Sequence, residues 1–567
     1  MTLLSPSVIP LEPSSQLTNS HHAPLSTSYY PLASSSSSVT TASFAPTPAK
    51  PRYFLNPWPS YRVASLSDAY RAYQLGAAIA HPQPRTPSRP RTPVTGLSRT
   101  GSSATLDEEE PYISSSVSES DVEDADTSAN AALLRIPPSA WYPARIYARK
   151  DLAEMYQDDE EDDWRDPPVT VVPPSWTGEE GPIDKEAVTW LGHAGVLVRI
   201  PWKGKGRDGM CGVLFDPIFS YRCSPSQYVG PARYLDAPCP VSMLPDIHVC
   251  CISHDHYDHL DYYTILDLWK FHKNTIHFFV PLGLKPWFIS SGIPSERVTE
   301  LDWYHESLLH FPSSPHTPYS DNPAISRHPP APVVPNSESE ASSDLTLKVA
   351  FTPAQHRSGR GLLDHMTTLW GSWCVGVVEK EDEGRAGELG MRGWKGFKVF
   401  FGGDTGYRYA TAPEGDPDAV CPAFEEIASA YSPFSLSLLP LSTGSSLPFL
   451  RNLLSLSLDQ YTLTSSLHCS PADSLEIHRI LGSKNTVGIH WGTFCDQHEA
   501  RGTRVEFGRA RRQRGIDGRW RGRKLVDGLD IPGTDAEEGS KGTREVKHGD
   551  NGRFVICDIG ETLVLPE

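Results

Sequence analysis

One short loop carries four side chains that can bind metal ions, and this crowding constrains the fold more than any other feature of the sequence. The segment SHDHYDHLD, residues 253–261, places His254, His256, Asp258 and His259 within six positions. Neutral imidazoles and carboxylates are ordinary zinc ligands, with metal–donor distances of about 2.0–2.2 Å. Because the four donors are so close along the chain, one loop can serve two adjacent metal ions. We therefore predict a dinuclear site that takes its remaining ligands from other parts of the chain.

Three later apolar segments also end in a side chain that can bind metal. The segments LTLKVAFTPA, FKVFFGGD and NTVGIHWG are typical of short buried strands, and they place His356, Asp404 and His490 at or just beyond their carboxyl ends. Asp404 follows two glycines, so its carboxylate can approach closely and bridge two cations. Strands whose following loops all carry His or Asp predict a metal site at one rim of a sheet sandwich.

The same alternation of short apolar strands and helical patterns runs from residue 186 towards the carboxyl terminus, and it predicts an α/β fold. Further strands are predicted at AVTWLGHAGVLVRI, GVLFDPIF, HVCCIS, TIHFFVP and the closing GRFVICDIGETLVLP. Helices are predicted at DYYTILDLWKFHK and PADSLEIHRILGS. Residues 312–343, 380–395 and 525–549 are predicted to be disordered inserts because of their biased composition.

Two regions of the amino-terminal third have a composition that cannot bury much apolar surface. Residues 1–52 are rich in Ser and Pro, and residues 81–185 form a low-complexity insertion, of which 106–180 alone carries 20 acidic and 5 basic side chains. Most of the formal net charge of −18 therefore belongs to a segment that we predict to be unfolded. Residues 53–80 differ from both regions, since their aromatic side chains and a short helical pattern from Ser67 predict folded structure.

The cysteines and the lack of long apolar runs bear on the cellular setting. The ten cysteines show neither zinc-finger spacing nor the pattern of a small disulfide-stapled scaffold, which favours reduced thiols and an intracellular protein. The amino terminus has no secretory signal, and no window approaches the roughly 20 apolar residues that span a bilayer. We expect a protein that is cytoplasmic or peripheral to an internal membrane. The acid-poor residues 1–105 leave mitochondrial association open.

The segments around the candidate metal ligands indicate a more specific protein family. Characteristic segments occur in the order NPWPS (56–60), WLGHAGVLV (190–198), SHDHYDHLD, TPAQH (352–356), TLWGSW (368–373), FFGGDTGY (400–407) and IHWGTF (489–494). Together they resemble the N-acylphosphatidylethanolamine-hydrolysing phospholipase D family of the metallo-β-lactamase superfamily. The resemblance implies a metallo-β-lactamase-like αββα sandwich with a disordered N-terminal region and insertions.

The residues that the resemblance covers also predict the domain boundaries. It covers residues 53–80 and most of 186–566, so 53–80 is interpreted as the first segment of the catalytic domain and 186–567 as the remainder. On this interpretation the acidic segment 81–185 is an insertion inside the domain, and 1–52 is a disordered extension before it.

The resemblance implies two Zn²⁺ ions per chain, and it assigns three terminal ligands to each ion. Those of the first ion would be His254, His256 and His356. Those of the second would be Asp258, His259 and His490.

Further roles follow from the same resemblance. Asp404 would bridge the two ions and Asp258 would orient the attacking water. His468 would face the substrate phosphate, which makes Asp258, Asp404 and His468 the expected catalytic residues. His193, within LGHAGVLV, is expected to support the site without binding metal.

The activity that this resemblance implies is hydrolysis of N-acylphosphatidylethanolamine to N-acylethanolamine and phosphatidic acid. The alternative is another phosphodiesterase of the same superfamily, such as a nuclease, because the basic run 500–524 would fit nucleic acid as well as lipid. The family segments and the lack of a recognisable nucleic-acid module favour the lipid, so no nucleic-acid partner is expected. A non-catalytic scaffold that binds partners through its Ser, Pro and acidic tracts is the third hypothesis, and seven preserved ligands argue against it.

A lipid substrate requires contact with a membrane surface. The aliphatic stretch 447–458 and the basic run 500–524 are the two candidate contacts, since basic side chains attract anionic lipid. The competing interpretation of both stretches is an ordinary solvated helix and loop. A homodimer is left open by the sequence.

Overall fold

The structure, a computed structural model, describes residues 7–11, 54–80, 167–176, 184–202, 209–311, 345–361, 364–413, 415–442, 460–520 and 551–566. Within these residues two β-sheets face each other and helices pack outside them. The predicted αββα arrangement is confirmed, and the predicted strands and helices between residues 186 and 492 are present.

The first sheet has seven strands in the order β15-β2-β3-β4-β5-β6-β7. Its strands are β2 (Ala187–Gly192), β3 (Gly195–Pro201), β4 (Met210–Phe215), β5 (Val249–Cys251), β6 (His277–Pro281), β7 (Val298–Leu301) and β15 (Thr562–Val564). The strands from β4 to β7 are parallel to one another. Parallel strands are covered on both faces, which explains why the sequences VCC and HFFVP are buried throughout.

The second sheet has eight strands in the order β1-β8-β9-β10-β11-β12-β13-β14. Its strands are β1 (Ser7–Leu11), β8 (Glu306–Phe311), β9 (Leu345–Thr352), β10 (Ser372–Val377), β11 (Lys398–Phe401), β12 (Leu436–Pro440), β13 (Asn485–Ile489) and β14 (Arg553–Val555). The strands from β11 to β14 are parallel, and β9 points the same way because β10 is antiparallel to both β9 and β11. The carboxyl ends of β9, β11 and β13 therefore meet at one rim.

The described helices are α1 (Leu66–Ala80), α2 (Tyr262–His272), α3 (Lys285–Ser290), α4 (Ala423–Tyr431), α5 (Gln460–Thr464), α6 (Pro471–Ile480) and α7 (Gln497–Gln513). The start of α6 is set by its sequence, because Ser470 and Asp473 form a capping box and Pro471 occupies the first turn. Helix α2 buries one face through Ile265 and Leu268.

Aromatic side chains join the two sheets. Phe215 of β4 stacks on Phe401 of β11 with ring centroids 4.8 Å apart. Trp373 of β10 donates its indole N–H to the carbonyl of Ile252 at 3.0 Å, immediately before the SHDHYDHLD segment. These contacts fix the rim of one sheet relative to the rim of the other, so that ligands from both can meet.

Predictions about both ends of the chain need a correction. Residues 1–52 were expected to be disordered, and this needs correction for Ser7–Leu11 alone, which pair with β8 as an antiparallel edge strand. The other residues of that range lie outside the described residues. Pro10 is compatible with this position because an edge strand leaves one side of its backbone unpaired. The closing segment 552–566 was expected to be one strand, but it forms β14 in the second sheet and β15 in the first. The turn between them includes Gly560, whose φ is +92°.

The prediction that residues 380–395 are disordered is wrong. Met391 is fully buried, and Asp382 accepts backbone N–H groups from Lys395 and Gly396 at 2.9 and 3.2 Å. The buried ammonium of Lys348 donates to the carbonyl of Gly390 at 3.1 Å. The charged composition of this segment concealed a loop whose backbone is held by the side chain of its own Asp382 and by that of Lys348 from the second sheet.

Part of the predicted insertion 81–185 also packs on the domain. Val169 is buried in the main core, and Thr170 N–H donates to Asp558 Oδ1 at 2.8 Å. The division into domains remains a prediction. Residues 167–176, which it assigned to the insertion, pack against the catalytic domain that it predicted. The rest of the acidic segment up to residue 166, the inserts 312–343 and 525–549, and the aliphatic stretch 447–458 lie outside the described residues.

The basic run 500–524 is described up to residue 520, and most of it forms α7. Several of its arginines have partners within the protein: Arg504 donates to the carbonyl of Pro168 at 3.2 Å, and Arg514 pairs with Glu476 at 3.0 Å. This helix is therefore at least partly a packing element. Among the described residues, no helix combines the length and apolarity needed to cross a bilayer.

Candidate metal centre

The HDHYDH loop begins directly after β5 and is anchored by a carboxylate from the neighbouring strand. Asp216, which follows β4, accepts the backbone N–H of Ser253 at 2.7 Å. Its other oxygen lies 2.7 Å from Nδ1 of His259. An Nδ1–H that donates to a carboxylate leaves Nε2 free to bind a metal ion. The loop thus presents His259 through Nε2 at the rim between the sheets.

The three donors from the second sheet meet this loop around one carboxylate. Asp404 Oδ2 lies 3.2 Å from His259 Nε2 and 3.6 Å from His356 Nε2. Asp404 Oδ1 lies 2.8 Å from His490 Nε2. His254 Nε2 is 3.9 Å from Oδ2 of the same residue. Asp404 is therefore at the centre of the cluster, which is where the sequence places a bridging residue.

The donors divide into two main groups whose ligand atoms lie within 4.8 Å of one another. The first group contains His254, His256, His356 and Asp404. The second contains His193, Asp258, His259 and His490. The seven predicted ligands are thus brought together in the predicted division, with Asp404 close to members of both groups.

The donor atoms themselves fit metal ions. His259 Nε2, Asp404 Oδ1, His468 Nδ1 and His490 Nε2 are buried, and none has a hydrogen bond of acceptable geometry in the structure. Buried polar atoms are normally paired, because an unpaired one costs free energy. Four such atoms lie close together here, which indicates that a bound cation would be their missing partner.

Comparison with known proteins agrees with this geometry. The profile of a family described as Beta-lactamase superfamily domain matches residues 212–491, which include the HDHYDH loop, Asp404 and His490. Residues 212–491 form a metallo-β-lactamase-like domain. This fold implies that the site binds divalent metal ions.

Named relatives within the superfamily include lipid hydrolases. The chain is 30% identical over 312 residues to N-acyl-phosphatidylethanolamine-hydrolyzing phospholipase D 1 of Caenorhabditis elegans, covering 54% of this chain and 64% of that protein. It is 27% identical over 283 residues to the mitochondrial N-acyl-phosphatidylethanolamine-hydrolyzing phospholipase D of Saccharomyces cerevisiae, covering 50% and 44% of the two chains. The match thus spans less than two thirds of the length of either relative.

The solved structures similar to this chain include Igni18, a metallo hydrolase from the archaeon Ignicoccus hospitalis. The sequence identity is 13% and the TM-score 0.33, with 68% of this chain and 99% of the other covered.

Burial and contact with neighbouring side chains determine the protonation of the histidines and of Asp404 in the two donor groups. Burial lowers the pKa of His254 and His356 well below the usual value, which favours the neutral imidazoles that bind metals. Burial raises the pKa of the Asp404 carboxyl, but the nearby imidazoles of His259 and His490 outweigh that effect and hold it well below its usual value. His254 and His356 therefore present neutral nitrogen donors beside an ionised carboxylate. Burial also lowers the pKa of His259, but the neighbouring carboxylates of Asp404 and Asp258 outweigh that effect and raise this pKa well above its usual value.

His468 approaches the same centre from the segment between α5 and α6. Its Nδ1 lies 3.8 Å from Asp404 Oδ2, and its ring centroid is 5.1 Å from that of His356. Burial lowers its pKa to about 3, so the imidazole is neutral at physiological pH. The structure therefore places His468, the predicted substrate-facing histidine, beside the predicted metal ligands.

The supporting role expected for His193 stays a prediction, and sequence reasoning missed Asp216. His193 Nε2 lies 3.0 Å from Asp258 Oδ2, and its ring centroid is 4.1 Å from that of His490. The histidine has a φ of 51°, in the turn between β2 and β3. A signal for Asp216 was available, because it ends the apolar segment GVLFD much as Asp404 ends FKVFFGGD.

Proposed function

We propose that this chain is a zinc-dependent phosphodiesterase that hydrolyses N-acylphosphatidylethanolamine to N-acylethanolamine and phosphatidic acid. In this reaction the oxygen of water forms a new bond to phosphorus. The bond between phosphorus and the ethanolamine oxygen breaks, and the leaving N-acylethanolamine takes up a proton.

A single observation carries the metal-dependent part of this proposal: two groups of imidazole and carboxylate donors meet at Asp404. Nitrogen and oxygen donors without thiolate suit zinc. Residues His254, His256 and His356 would hold one ion, Asp258, His259 and His490 the other, and Asp404 would bridge them. Two ions bound there would supply Lewis acidity and a water of lowered pKa.

The protein's own residues orient the reactants. Asp258 belongs to the second group of donors and has one oxygen 3.0 Å from His193 Nε2. It can accept a hydrogen bond from the attacking water. A neutral His468 can donate an N–H to an oxygen of the substrate phosphodiester, where negative charge develops in the transition state. Asp258 would thereby orient the attacking water, and His468 would orient the phosphate that it attacks, within the same ligand cluster.

The lipid substrate is proposed on the basis of the relatives' names and the family segments in the sequence. Such a substrate is embedded in a bilayer, so the enzyme would act at a membrane surface. An intracellular location peripheral to a membrane, including a mitochondrial one, is part of this proposal, as is the homodimer left open by the sequence.

The deciding experiment is an assay of the purified protein on vesicles that contain either N-acylphosphatidylethanolamine or plain phosphatidylethanolamine. Products are identified by mass, and bound metal is measured in the same preparation. Free N-acylethanolamine with phosphatidic acid, together with zinc near two ions per chain, is the expected result. A single-stranded oligonucleotide serves as the third substrate. Its cleavage in the absence of lipid hydrolysis would favour the nuclease alternative and overturn the lipid proposal.

A further inference from the structure

Gln355 is fully buried and directly precedes the proposed ligand His356, at the point where β9 gives way to the site. Its backbone is held by the loop that follows Asp404. The Gln355 N–H donates to Thr405 Oγ1 at 3.0 Å, and the Gln355 carbonyl accepts the N–H of Gly406 at 2.8 Å. The backbone before one proposed ligand is thereby bonded to the backbone just after another.

The side chain of Gln355 reaches two further segments. Its Nε2 donates to the carbonyl of Ser466 at 3.1 Å, and its Oε1 accepts a hydrogen bond from the hydroxyl of Ser60. Ser60 is almost 300 residues earlier in the chain, within NPWPS. One amide therefore joins the amino-terminal segment to the segment that leads to His468.

The segment that this amide holds also contacts the proposed metal ligand His356. The carbonyl of Leu467, one residue after Ser466, lies 2.9 Å from His356 Nδ1 and can accept its proton. That hydrogen bond fixes the tautomer in which Nε2 is available to a metal ion. A shift of the Ser466 carbonyl would therefore disturb His356 through Leu467 and would move His468, which follows immediately.

The packing at this junction leaves little freedom. A Cβ added to Gly406 would lie 2.4 Å from the carbonyl carbon of Ser466, so the two backbones are in close contact. The amino-terminal segment adds two hydrogen bonds: Asn56 Nδ2 donates to the His356 carbonyl at 2.9 Å, and Ser466 Oγ donates to the Arg62 carbonyl at 2.8 Å.

We propose that Gln355 is a positioning residue of the metal centre, which locks the segments bearing His356, Asp404 and His468 to one another and to NPWPS. The inference rests on the proposed metal site and does not depend on which phosphodiester is the substrate. It explains why a segment separated from the rest of the domain by a long insertion contributes to the site: Ser60 orients the amide that holds the ligand loops.

The test uses the full-length protein carrying Gln355→Met, which keeps a similar side-chain volume and removes both amide hydrogen bonds. Metal retention is measured by titration with a chelator in the absence of substrate, and kcat is measured at saturating metal. Outer hydrogen-bond partners of metal ligands are typically worth about 10–100-fold in affinity or activity. We expect chelator to strip the variant at an at least roughly tenfold lower concentration and kcat to fall by a similar factor.

Asn485→Leu is the matched control, because Asn485 is a buried amide that donates to the Ser435 carbonyl at 2.9 Å, at the end of β13 opposite His490. It is expected to lower the melting temperature while leaving metal retention unchanged. Ser60→Ala is a milder second variant, which should weaken metal retention in the same direction as Gln355→Met and remains informative where that variant fails to fold.

The outcomes separate this inference from the proposed function. A Gln355→Met protein, or a Ser60→Ala protein where the former does not fold, that matches Asn485→Leu in metal retention and kcat overturns the positioning role. A parent protein that holds metal but does not cleave N-acylphosphatidylethanolamine overturns the lipid proposal alone. A parent protein that retains no metal overturns the metal site and the positioning role together.

Discussion

His193 Nε2 lies 3.0 Å from Asp258 Oδ2, which links the turn between β2 and β3 to the carboxylate of the HDHYDH loop. The carbonyl of the same histidine accepts the backbone N–H of His490 and the indole N–H of Trp190, both at 2.8 Å. His193 therefore contacts two proposed ligands of the second ion, one through its ring and one through its backbone.

Replacing His193 by Asn should separate these two functions. Asn tolerates the positive φ of 51° at this position better than most residues, so the backbone contacts are retained. Its amide is shorter than an imidazole and leaves Asp258 without this donor. Since an outer partner of a ligand is typically worth about 10–100-fold, we expect kcat and metal affinity to fall within that range. Steady-state kinetics and chelator titration measure the two effects.

His277→Asn provides the comparison for this variant. His277 is also a buried histidine with a side-chain hydrogen bond, 2.8 Å from Thr299 Oγ1, but it begins β6 at the end away from the site. It should change stability alone. Equal losses of metal affinity in the two variants would mean that the Asp258 contact has no specific role.

Asp404→Asn is expected to remove activity and to reduce the metal content to one ion or none. The substitution keeps the shape of the side chain but removes the negative charge that lies between His259 and His490. A neutral amide cannot bridge two cations as a carboxylate does. Metal analysis of the dialysed protein and the lipid assay together check the expectation.

Asp382→Asn controls for the loss of a buried carboxylate. Asp382 accepts two backbone N–H groups in the loop 380–395 and belongs to neither donor group. This variant should melt at a lower temperature with its metal content intact. An Asp404→Asn protein with full activity and two ions would contradict the proposed bridge.

The convergence of the proposed metal ligands was largely predictable because these residues follow strands. An apolar run that ends in His or Asp can be read along the sequence, and the parallel arrangement brings His356, Asp404 and His490 to one rim. The contact between His193 and Asp258 was not predictable in this way. It depends on a left-handed turn and on the pairing of β2 with β3, neither of which has a clear pattern in a single sequence.

The two segments that were wrongly predicted to be disordered, 380–395 and Ser7–Leu11, are ordered for the same physical reason. The loop 380–395 is charged and rich in Gly, so its composition favours disorder. Its order comes from the hydrogen bond that Lys348 of β9 donates to the Gly390 carbonyl and from the backbone N–H groups of Lys395 and Gly396 that donate to Asp382. Likewise Ser7–Leu11 form a strand because the edge of β8 offers backbone partners. Long-range hydrogen bonding of this kind leaves little trace in local composition.

The buried pair of Lys348 and Glu306 should stabilise the loop 380–395. The ammonium lies 3.0 Å from Glu306 Oε2, and both side chains are fully buried. Glu306 Oε1 also accepts from Tyr431 OH at 2.7 Å and from Gly390 N–H at 2.8 Å. Lys348→Met would leave a buried carboxylate without its counter-charge, which typically costs about 3–5 kcal/mol. Chemical denaturation measures this loss.

A second substitution tests whether charge is the cause. Lys348→Met combined with Glu306→Gln removes both charges and retains a side-chain oxygen for Tyr431 and Gly390. The double variant should recover part of the lost free energy of unfolding, and the metal content of both proteins should equal that of the parent. A double variant less stable than Lys348→Met would assign the effect to lost hydrogen bonding instead.

Asp68 should make the attachment of α1 dependent on pH. Its carboxylate accepts hydrogen bonds from Tyr409 OH and Thr411 Oγ1, both at 3.0 Å, and from the N–H of Ser65 at 2.8 Å. Burial raises the pKa of Asp68, but these hydrogen bonds outweigh it and hold the pKa below the usual value. The unfolded state therefore binds the proton more readily than the folded state does.

The sign of the effect follows from that difference. The stabilising contribution of Asp68 is complete above the unfolded carboxyl pKa of about 4 and is lost as the pH falls through the lower folded value. Asp68→Asn should therefore melt below the parent at pH 7, and the gap between the two proteins should close as the pH is lowered towards 3. Asp267→Asn, an exposed carboxylate of α2, should show no such gap. Thermal melts across this pH range test the prediction. A difference in melting temperature that stays constant with pH would mean that Asp68 acts through its shape and not through its charge.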